Sequence, residues 1–319
     1  MHYFDVFNGD ADGICALHQL RLANPCESTL ITGVKRDIAL LQRVHAEQGD
    51  HITVLDISLD KNRDALIQVL QQGASVRYMD HHFAGDIPSH SNLETHINTD
   101  ANVCTSLLVN NLLEGAYLPW AVVAAFGDNL FDSARAAAQP LQLSEDKMQQ
   151  LELLGTLINY NGYGSDLSDL YVTPEELYRD ISNFENPFDF MTQSEVYTLL
   201  AQGYASDIEQ ARALPIHATT DTTALLMLPD EPWTRRVSGV YGNELAREHP
   251  ERAHALVTIL SNQTYRISVR APMSNKTGAD ELCMQFPTGG GRKAAAGINA
   301  LPADMLETFI STFQQHYRR

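Results

Sequence analysis

Over the first third of the chain, compact apolar runs alternate with stretches in which apolar residues recur at helical spacing. The compact runs predict strands at residues 2–7, 29–34, 52–57 and 76–79. The stretches between them predict helices at residues 13–23, 38–47 and 63–71. This alternation predicts an α/β domain with a doubly wound, mainly parallel sheet and helices on both faces. In such a sheet, ligands bind at the carboxyl ends of the strands.

The rest of the chain predicts a helical connection followed by a smaller α/β domain. Helical spacing is found at residues 105–113, 119–126, 144–160 and 194–213. The polar stretch 214–222 follows the last of these helices and is predicted to be an inter-domain linker. Beyond it, the pattern predicts strands at 224–228, 255–260 and 264–269 and helices at 238–248 and 302–317. We therefore expect a first domain at residues 1–213 and a second at 223–319.

The composition of the chain favours a small anionic ligand over a long nucleic acid. The chain has 319 residues, and 44% of them are hydrophobic, which is enough for two ordinary cores. The net charge of −18 argues against a protein that coats long DNA or RNA, because such proteins neutralise many phosphates with Lys and Arg. An acidic chain can still hold a small anion through metal ions, helix N-termini and a few arginines. No apolar run approaches the ~20 residues that span a bilayer, and the N-terminus lacks the pattern of a signal peptide, so we expect a cytoplasmic protein without a membrane partner.

Carboxylate and imidazole side chains cluster where predicted strands or helices end. The clusters are Asn8-Gly9-Asp10-Ala11-Asp12-Gly13 after the first strand, Asp56 after the third, Asp80-His81-His82 after the fourth, and Asp128 after an apolar helix. Each aspartate alone could be an ordinary helix N-cap, and the histidines could be surface residues. Together, three clusters should converge on one sheet edge, where carboxylates repel one another unless cations hold them. Oxygen ligands with an imidazole suit Mn²⁺.

Taken in this order, the four clusters resemble the motifs of the DHH phosphoesterase superfamily, whose name matches the sequence of the third cluster. The resemblance implies two bound Mn²⁺ ions, with Mg²⁺ or Co²⁺ as alternatives. By motif, the ligands would be Asp10 for one ion, Asp12, His81 and Asp128 for the other, and Asp56 as a bridge. Asp80 and His82 would be catalytic, with His82 beside the substrate phosphate or the leaving group.

One position departs from the pattern of the superfamily. Many relatives carry a metal-binding histidine just before the first aspartate of the first motif, and this chain has Asn8 in that neighbourhood. The amide oxygen of Asn8 could be a weaker ligand, or a water could take its place. We therefore expect the first ion to require more Mn²⁺ than usual.

A glycine-rich segment at residues 288–297 carries the second motif. Gly289, Gly290 and Gly291 expose backbone N–H groups that can cradle an anion, and Arg292 and Lys293 add positive charge. The segment could equally be a plain turn between a strand and a helix. Beside the motifs of the first domain, it resembles the DHH-associated domain, in which a histidine stands at the position of Arg292. The resemblance implies that this loop holds the nucleotide end of the substrate.

Other basic residues are candidates for contacts with the same substrate. Arg266 and Arg270 lie four residues apart on a predicted strand, so they share one face. Relatives place an arginine on this strand against the substrate, and Arg270 is the stronger candidate, although either could be a surface charge. Lys276 is a weaker one. Lys35 and Arg36 follow the second strand at its carboxyl end, where a solvated turn is an equally good interpretation.

These features predict a Mn²⁺-dependent phosphodiesterase that acts on short linear oligonucleotides. Dinucleotides such as pGpG or pApA are the candidate substrates, 5′-mononucleotides are the products, and long DNA is not a partner. Two bound ions would activate water and stabilise the attacking and leaving oxygens, with Arg292 offsetting charge on the phosphoryl group. The alternatives are a single-strand exonuclease, a hydrolase of cyclic dinucleotides or polyphosphate, and a non-catalytic nucleotide-binding regulator. An oligomer is compatible with the sequence.

Overall fold

The computed structural model describes residues 1–260 and 263–318. The chain forms two compact units, Met1–Gln202 and Gly203–Arg319, and each has its own sheet. In the described part of the chain, no helix is both long enough and apolar enough to cross a membrane.

The first unit is built around a sheet of five parallel strands, as the sequence predicts. The strands are β1 (Tyr3–Phe7), β2 (Thr29–Ile31), β3 (His51–Leu55), β4 (Ser75–Asp80) and β5 (Leu93–Ile97). Apolar, mostly β-branched or aromatic residues occupy most of their buried positions, as β-propensity favours, and Asp5 and Asp80 are the buried charged residues among them. The register pairs Phe7 with Leu55 and Leu55 with Met79, so β1, β3 and β4 end within one residue of one another.

The strand order β2-β1-β3-β4-β5 places a topological switch point between β1 and β3. The chain leaves β1 to form β2 on one side and then returns past β1 to form β3, so the loops diverge above this pair. The N–H of Asn8 donates to the carbonyl oxygen of Leu55 (3.2 Å), and the N–H of Asp56 donates to that of Met79 (3.1 Å). These bonds extend the ladder by one residue and fix where the motif residues begin.

Helices cover both faces of this sheet. In chain order they are α1 (Ala11–Ala23), α2 (Leu59–Gln71), α3 (Thr105–Leu112), α4 (Leu118–Gly127), α5 (Phe131–Ala137), α6 (Glu145–Asn161), α7 (Pro174–Ile181), α8 (Pro187–Gln193) and α9 (Glu195–Arg212). On one face, Leu66 and Val69 of α2 pack in a single core cluster with Val6 and Val54. The other face is covered by α1, which is itself buried because α3 and α4 pack against it.

The prediction of a helix at residues 38–47 is wrong, because only Leu40–Arg43 form a turn of 3-10 helix. The side chain of Asn62 accounts for the difference. It accepts a hydrogen bond from the N–H of Leu41 (3.2 Å) and donates one to the carbonyl oxygen of Ile38 (2.7 Å). Backbone groups are thereby satisfied without further helical bonds. The apolar pattern also does not predict β5, α5, α7 or α8, which are short.

The second unit contains a six-stranded mixed sheet in the order β10-β11-β9-β8-β7-β6. Its strands are β6 (Ile216–Thr219), β7 (Thr223–Leu228), β8 (Ala253–Ile259), β9 (Thr264–Arg270), β10 (Gly289–Arg292) and β11 (Ala295–Pro302). Its further helices are α10 (Pro232–Glu248), α11 (Ala279–Cys283) and α12 (Leu306–His316). The prediction of a smaller α/β domain is confirmed. The segment 214–222, expected to be a linker, contains the edge strand β6.

His18 is a buried histidine of α1 in the first unit. Its Nε2 lies 2.9 Å from the carbonyl oxygen of Phe184, and its ring meets that of Trp120 edge-on, with 4.7 Å between the ring centroids. Burial lowers the pKa of His18 to about 4, although the hydrogen bond with Phe184 opposes this shift. The folded protein therefore keeps His18 neutral over a range in which the unfolded chain binds a proton.

We expect the first unit to lose stability as the pH falls from about 6.5 towards 4, because only its unfolded state gains a proton at His18. Between pH 7 and pH 5, this single site should lower the free energy of unfolding by about 2 kcal/mol. Urea unfolding at the two pH values measures the loss, and His18→Gln should remove most of the contribution. His45→Gln, at an exposed histidine, is the matched control. The same pH dependence in His18→Gln and in the control would contradict the prediction.

Candidate active site

The first motif lies in the turn between β1 and α1. Asp10 is the N-cap of α1, and its Oδ1 accepts hydrogen bonds from the N–H groups of Asp12 and Gly13, both at 3.1 Å. A side-chain carbon at Gly9 would lie 1.9 Å from the carbonyl oxygen of Gly33, so only glycine fits this close approach. The tight turn brings Asp10 and Asp12 to the carboxyl edge of the sheet.

Asp12 is completely buried in the first turn of α1 and faces the N-terminus of α3. Its two carboxylate oxygens accept hydrogen bonds from the backbone N–H groups of Thr105 and Ser106, each at 2.7 Å. The positive end of the α3 dipole points at this carboxylate. Two helices therefore hold the Asp12 carboxylate in a single orientation.

Asp56 follows β3 with a backbone φ of +58°, in the left-handed region. This conformation costs a non-glycine residue about 1 kcal/mol or more, and such strain is concentrated at functional sites. Its Oδ1 lies 3.4 Å from Nε2 of His81 and accepts a hydrogen bond of 3.4 Å from the hydroxyl of Thr105. Burial, together with repulsion from Asp12 and other carboxylates, raises the pKa of Asp56 well above its ordinary value.

His81 presents a ring nitrogen to two carboxylates. Its Nδ1 donates to the carbonyl oxygen of Val103 at 2.8 Å, an assignment that leaves Nε2 with a lone pair. Nε2 lies 3.4 Å from the carboxylate of Asp56 and 3.5 Å from that of Asp128. A histidine whose other nitrogen is anchored on a backbone carbonyl is the usual arrangement of a metal ligand.

Asp80 is buried and positions His82. Its Oδ1 lies 2.7 Å from Nδ1 of His82, while its Oδ2 is buried without a hydrogen-bond partner in the described structure. Burial lowers the pKa of His82, but the hydrogen bond and charge of Asp80 outweigh this effect and raise it. The side chain of His82 is 46% exposed, so Asp80 holds it at the solvent side of the site.

Asp128 comes directly after α4, where α4 crosses α6 at very short range. A side-chain carbon at Gly155 of α6 would lie 2.2 Å from the carbonyl oxygen of Val123. One at Gly127 would lie 2.4 Å from Cβ of Ala11 in α1. These glycines allow three helices to meet, and the close packing carries Asp128 to the same edge as the strand-end carboxylates.

Lys35 enters the carboxylate cluster from the loop after β2. Its ammonium forms an ion pair with Asp10 and lies 3.4 Å from Oδ1 of Asp128 and 2.9 Å from Oδ1 of Asn159. The sequence alone does not decide between this position and a solvated turn, and it does not indicate Asn159. Nδ2 of Asn8 donates to the carbonyl oxygen of Lys35 at 3.2 Å, while Oδ1 of Asn8 is buried without a partner in the described structure.

The charged groups of the cluster shift one another's pKa values, some upwards and some downwards. Burial raises the pKa of Asp10, but the charge of Lys35 and hydrogen bonds from Lys35 and Gly13 outweigh it and lower the pKa to about 2. Burial and neighbouring carboxylates raise the pKa of Asp128, although Lys35 opposes the shift. Burial lowers the pKa of Lys35, but the charges of Asp10 and Asp128 raise it well above its ordinary value. The carboxylates outnumber the ammonium, so the cluster attracts further cations.

Two overlapping groups of side chains could hold a cation within residues 1–260 and 263–318. One consists of Asp12, His81 and Asp128, and the other of Asp56, His81 and His82. In each group, one ligand atom from every residue lies within 4.8 Å of the others. Carboxylate oxygens with an imidazole, and without a thiolate, suit Mn²⁺ or Mg²⁺ better than a structural Zn²⁺. The residues therefore fit a divalent cation of this kind.

The predicted glycine-rich loop of the second unit is corrected to a strand. Gly289, Gly290 and Gly291 belong to β10, the edge strand of a hairpin with β11. A side-chain carbon at Gly289 would lie 1.8 Å from the carbonyl oxygen of Cys283, so this glycine lets β10 pack against α11. Gly291 has a φ of +143°, which favours glycine, whereas Gly290 has open space around its α-carbon.

Some of the candidate basic residues of the second unit are exposed to solvent, and others are held by neighbouring side chains. Arg292 and Lys293 are exposed at the end of β10, and Lys276 is exposed in the turn after β9. Arg270 is anchored on α10, since its guanidinium donates to the side chain of Asn243 at 2.6 Å. Arg266 lies on the same face of β9, opposite the face that carries buried core residues. The substrate roles of all five glycine-motif residues and of both arginines stay predictions.

The sequence matches no family model and no curated protein. Solved structures do match: exonuclease RecJ bound to manganese aligns with 100% of this chain and 90% of its own, at a TM-score of 0.64 and 16% identity. The pGpG-specific phosphodiesterase PggH from Vibrio cholerae aligns over 99% of both chains, at a TM-score of 0.57 and 14% identity. RecJ from Thermus thermophilus in complex with Mn²⁺ aligns with 99% of this chain and 52% of its own, at a TM-score of 0.57 and 15% identity.

At identities this low, the structural matches establish a shared fold and nothing further. The alignments extend over both units. The parallel sheet and the second mixed sheet agree with the two-domain α/β fold that the apolar pattern predicts. This chain has the fold of the DHH phosphoesterases.

Proposed function

We propose that this protein is a divalent-metal-dependent phosphodiesterase that hydrolyses short linear oligonucleotides to 5′-mononucleotides. Dinucleotides such as pGpG or pApA are its substrates, and Mn²⁺ is its metal, with Mg²⁺ or Co²⁺ as alternatives. The observation that carries this proposal is the convergence of Asp12, Asp56, His81 and Asp128 at one edge of the sheet.

The choice of a small substrate rests on charge. A net charge of −18 disfavours binding along a polyanion, because each phosphate contact needs a cation to replace released counterions. A structure described as a pGpG-specific phosphodiesterase shares the fold of this chain and supports a dinucleotide as the substrate, and the exonuclease RecJ, which shares the fold as well, supports a single strand as the alternative. The charge favours the dinucleotide.

The residues of the first unit have separate tasks in the proposed reaction. Asp12, His81 and Asp128 hold the metal, and Asp56 adds a carboxylate beside them. Bound divalent cations supply a nucleophile at neutral pH and stabilise charge on the phosphoryl oxygens. Asp80 keeps His82 oriented at the solvent side, where His82 or a water assists departure of the leaving oxygen.

In the second unit, we assign β10 to the nucleotide end of the substrate. An edge strand presents backbone groups on its outer side, and Gly290 has open space where a side chain would stand. Arg292 and Lys293 are exposed beside these glycines, and an arginine can form paired hydrogen bonds with a phosphate. Arg270 and Arg266 are the further candidates on this unit.

A Mn²⁺ assay on a panel of substrates tests the proposal. The panel contains pGpG, pApA, a five-residue RNA, a longer RNA, cyclic dinucleotides, pyrophosphate and polyphosphate. We expect the fastest turnover with one linear dinucleotide, and a loss of at least about 10²-fold in His81→Ala, because a metal ligand is removed. His45→Ala, at an exposed histidine, should match the wild type. Equal turnover of long and two-residue RNA would instead identify an exonuclease, and tight binding without turnover would identify a regulator.

A further inference from the structure

Lys35 is fixed in the carboxylate cluster by its own backbone. Its N–H donates to the carbonyl oxygen of Gly162 at 2.8 Å, and its carbonyl oxygen accepts from Nδ2 of Asn8 at 3.2 Å. Both peptide groups are held, so the loop after β2 delivers the side chain to the switch point of the sheet. The ammonium also lies 5.6 Å from the centroid of the Tyr163 ring, within the range of a cation–π contact.

The acceptors around the ammonium form a site suited to this cation. Carboxylate oxygens of Asp10 and Asp128 and the amide oxygen of Asn159 surround Nζ. Asn159 is 2% exposed, and its Nδ2 donates to the hydroxyl of Tyr163 at 3.3 Å, which turns Oδ1 towards Lys35. An ammonium has three N–H donors, and these three oxygens match them in number.

Because Lys35 lies in the cluster, some carboxylate oxygens pair with its ammonium and others remain available to a metal ion. Each oxygen of Asp10 already has a partner, since Oδ1 accepts two backbone N–H groups and Oδ2 pairs with Lys35. Asp128 is shared, because its Oδ1 faces Lys35 and its Oδ2 faces His81. In the described part of the chain, neither group of side chains that could hold an ion includes Asp10, and both include His81.

We propose that the Lys35 ammonium is a permanent cation of this site and that each chain binds one divalent ion where the motif resemblance implies two. The ion is held by Asp12, His81 and Asp128, while Lys35 balances Asp10 and provides positive charge for the substrate phosphate. A second divalent ion on Asp10 would have to displace the ammonium, because two cations on one carboxylate oxygen repel strongly. The role of Lys35 towards the substrate rests on the proposed function. The number of bound ions can be measured without turnover.

Equilibrium dialysis against rising Mn²⁺, with metal analysis by mass spectrometry, measures the number of ions per chain. We expect wild-type protein to saturate at one ion, and Lys35→Ala to take up two because Asp10 becomes available. The double variant Lys35→Ala/Asp10→Asn should return to one. Electron paramagnetic resonance gives a second readout: an isolated Mn²⁺ spectrum in wild type and a coupled pair in Lys35→Ala.

Saturation of the wild type at two ions would overturn the inference, and this result needs no variant to fold. A folded Lys35→Ala protein that still binds one ion would overturn it as well, with folding checked by circular dichroism. Lys61→Ala removes a lysine whose side chain is 61% exposed and should keep the wild-type number of ions.

The two proposals fail separately. If the wild type binds one ion but hydrolyses no member of the substrate panel, the proposed function fails and the role of Lys35 stands. If it hydrolyses a dinucleotide with two bound ions, the function stands and the role of Lys35 fails.

Discussion

Replacement of Asp56 with asparagine is expected to lower the rate of dinucleotide hydrolysis by about 10³-fold or more, while stabilising the metal-free protein. Activity falls because the neutral amide is a weaker oxygen donor and supplies no charge beside His81, whose Nε2 lies 3.4 Å from the Asp56 carboxylate. Asparagine keeps the size of the side chain and tolerates the backbone φ of +58° at this position. The substitution therefore changes charge with little change in shape.

The gain in stability follows from the charge that Asp56 carries. Burial and repulsion from Asp12, Asp10 and Asp128 raise the pKa of Asp56, so the folded state favours its protonated form. A raised pKa in the folded state means that stability is lost as the pH rises above the ordinary carboxyl range. At pH 7.5, a neutral side chain should stabilise the metal-free protein by about 1–3 kcal/mol.

Urea unfolding in EDTA and in Mn²⁺ separates the two effects of Asp56→Asn. The variant should be more stable than wild type in EDTA and should gain less from Mn²⁺. Asp132→Asn, at an exposed carboxylate, is the matched control and should change neither stability nor turnover. Lower stability of Asp56→Asn in EDTA, or turnover above one tenth of wild type, would contradict this account of the cluster.

Gly155→Ala is expected to lower the free energy of unfolding of the first unit by about 3 kcal/mol. Inside a helix, alanine would normally gain about 1 kcal/mol over glycine. At Gly155 the new methyl carbon would lie 2.2 Å from the carbonyl oxygen of Val123 and 2.8 Å from the backbone nitrogen of Gly127. Backbone atoms cannot yield as a flexible side chain can, so the steric clash outweighs the helical gain.

The same clash should disturb catalysis, because α4 and α6 position Asp128 and Asn159 at the site. Gly242→Ala is the matched control in α10, where the new carbon would meet its nearest neighbours at 3.6 Å, an ordinary contact distance. That variant should be unchanged or more stable by up to about 1 kcal/mol. Urea unfolding compares both variants with wild type, and equal stabilities would show that the crossing of α4 and α6 is looser than the structure indicates.

Much of the first unit could be predicted because its signals are local. Compact apolar runs form buried parallel strands, and an aspartate that follows such a strand must lie at the carboxyl edge of the sheet. The nearly level ends of β1, β3 and β4 are a consequence of register, and they explain why Asp10, Asp56 and Asp80 could be grouped from their sequence positions alone.

Features that depend on tertiary contacts could not be predicted in this way. Residues 38–47 have helical spacing, but the side chain of Asn62 satisfies their backbone groups instead. Three consecutive glycines favour a flexible loop, yet the carbonyl oxygen of Cys283 approaches Gly289 so closely that they form a packed edge strand. The position of Lys35 depends on Asn159 of α6, which is 124 residues away along the chain.

The most direct test of the central claim is the release of mononucleotides from a linear dinucleotide, measured with wild-type protein in EDTA and at increasing Mn²⁺. We expect no release in EDTA, release that rises to saturation with Mn²⁺, and a loss of at least about 10²-fold in His81→Ala. Equal release in EDTA and in Mn²⁺, or dinucleotide binding without any release at saturating Mn²⁺, would contradict it.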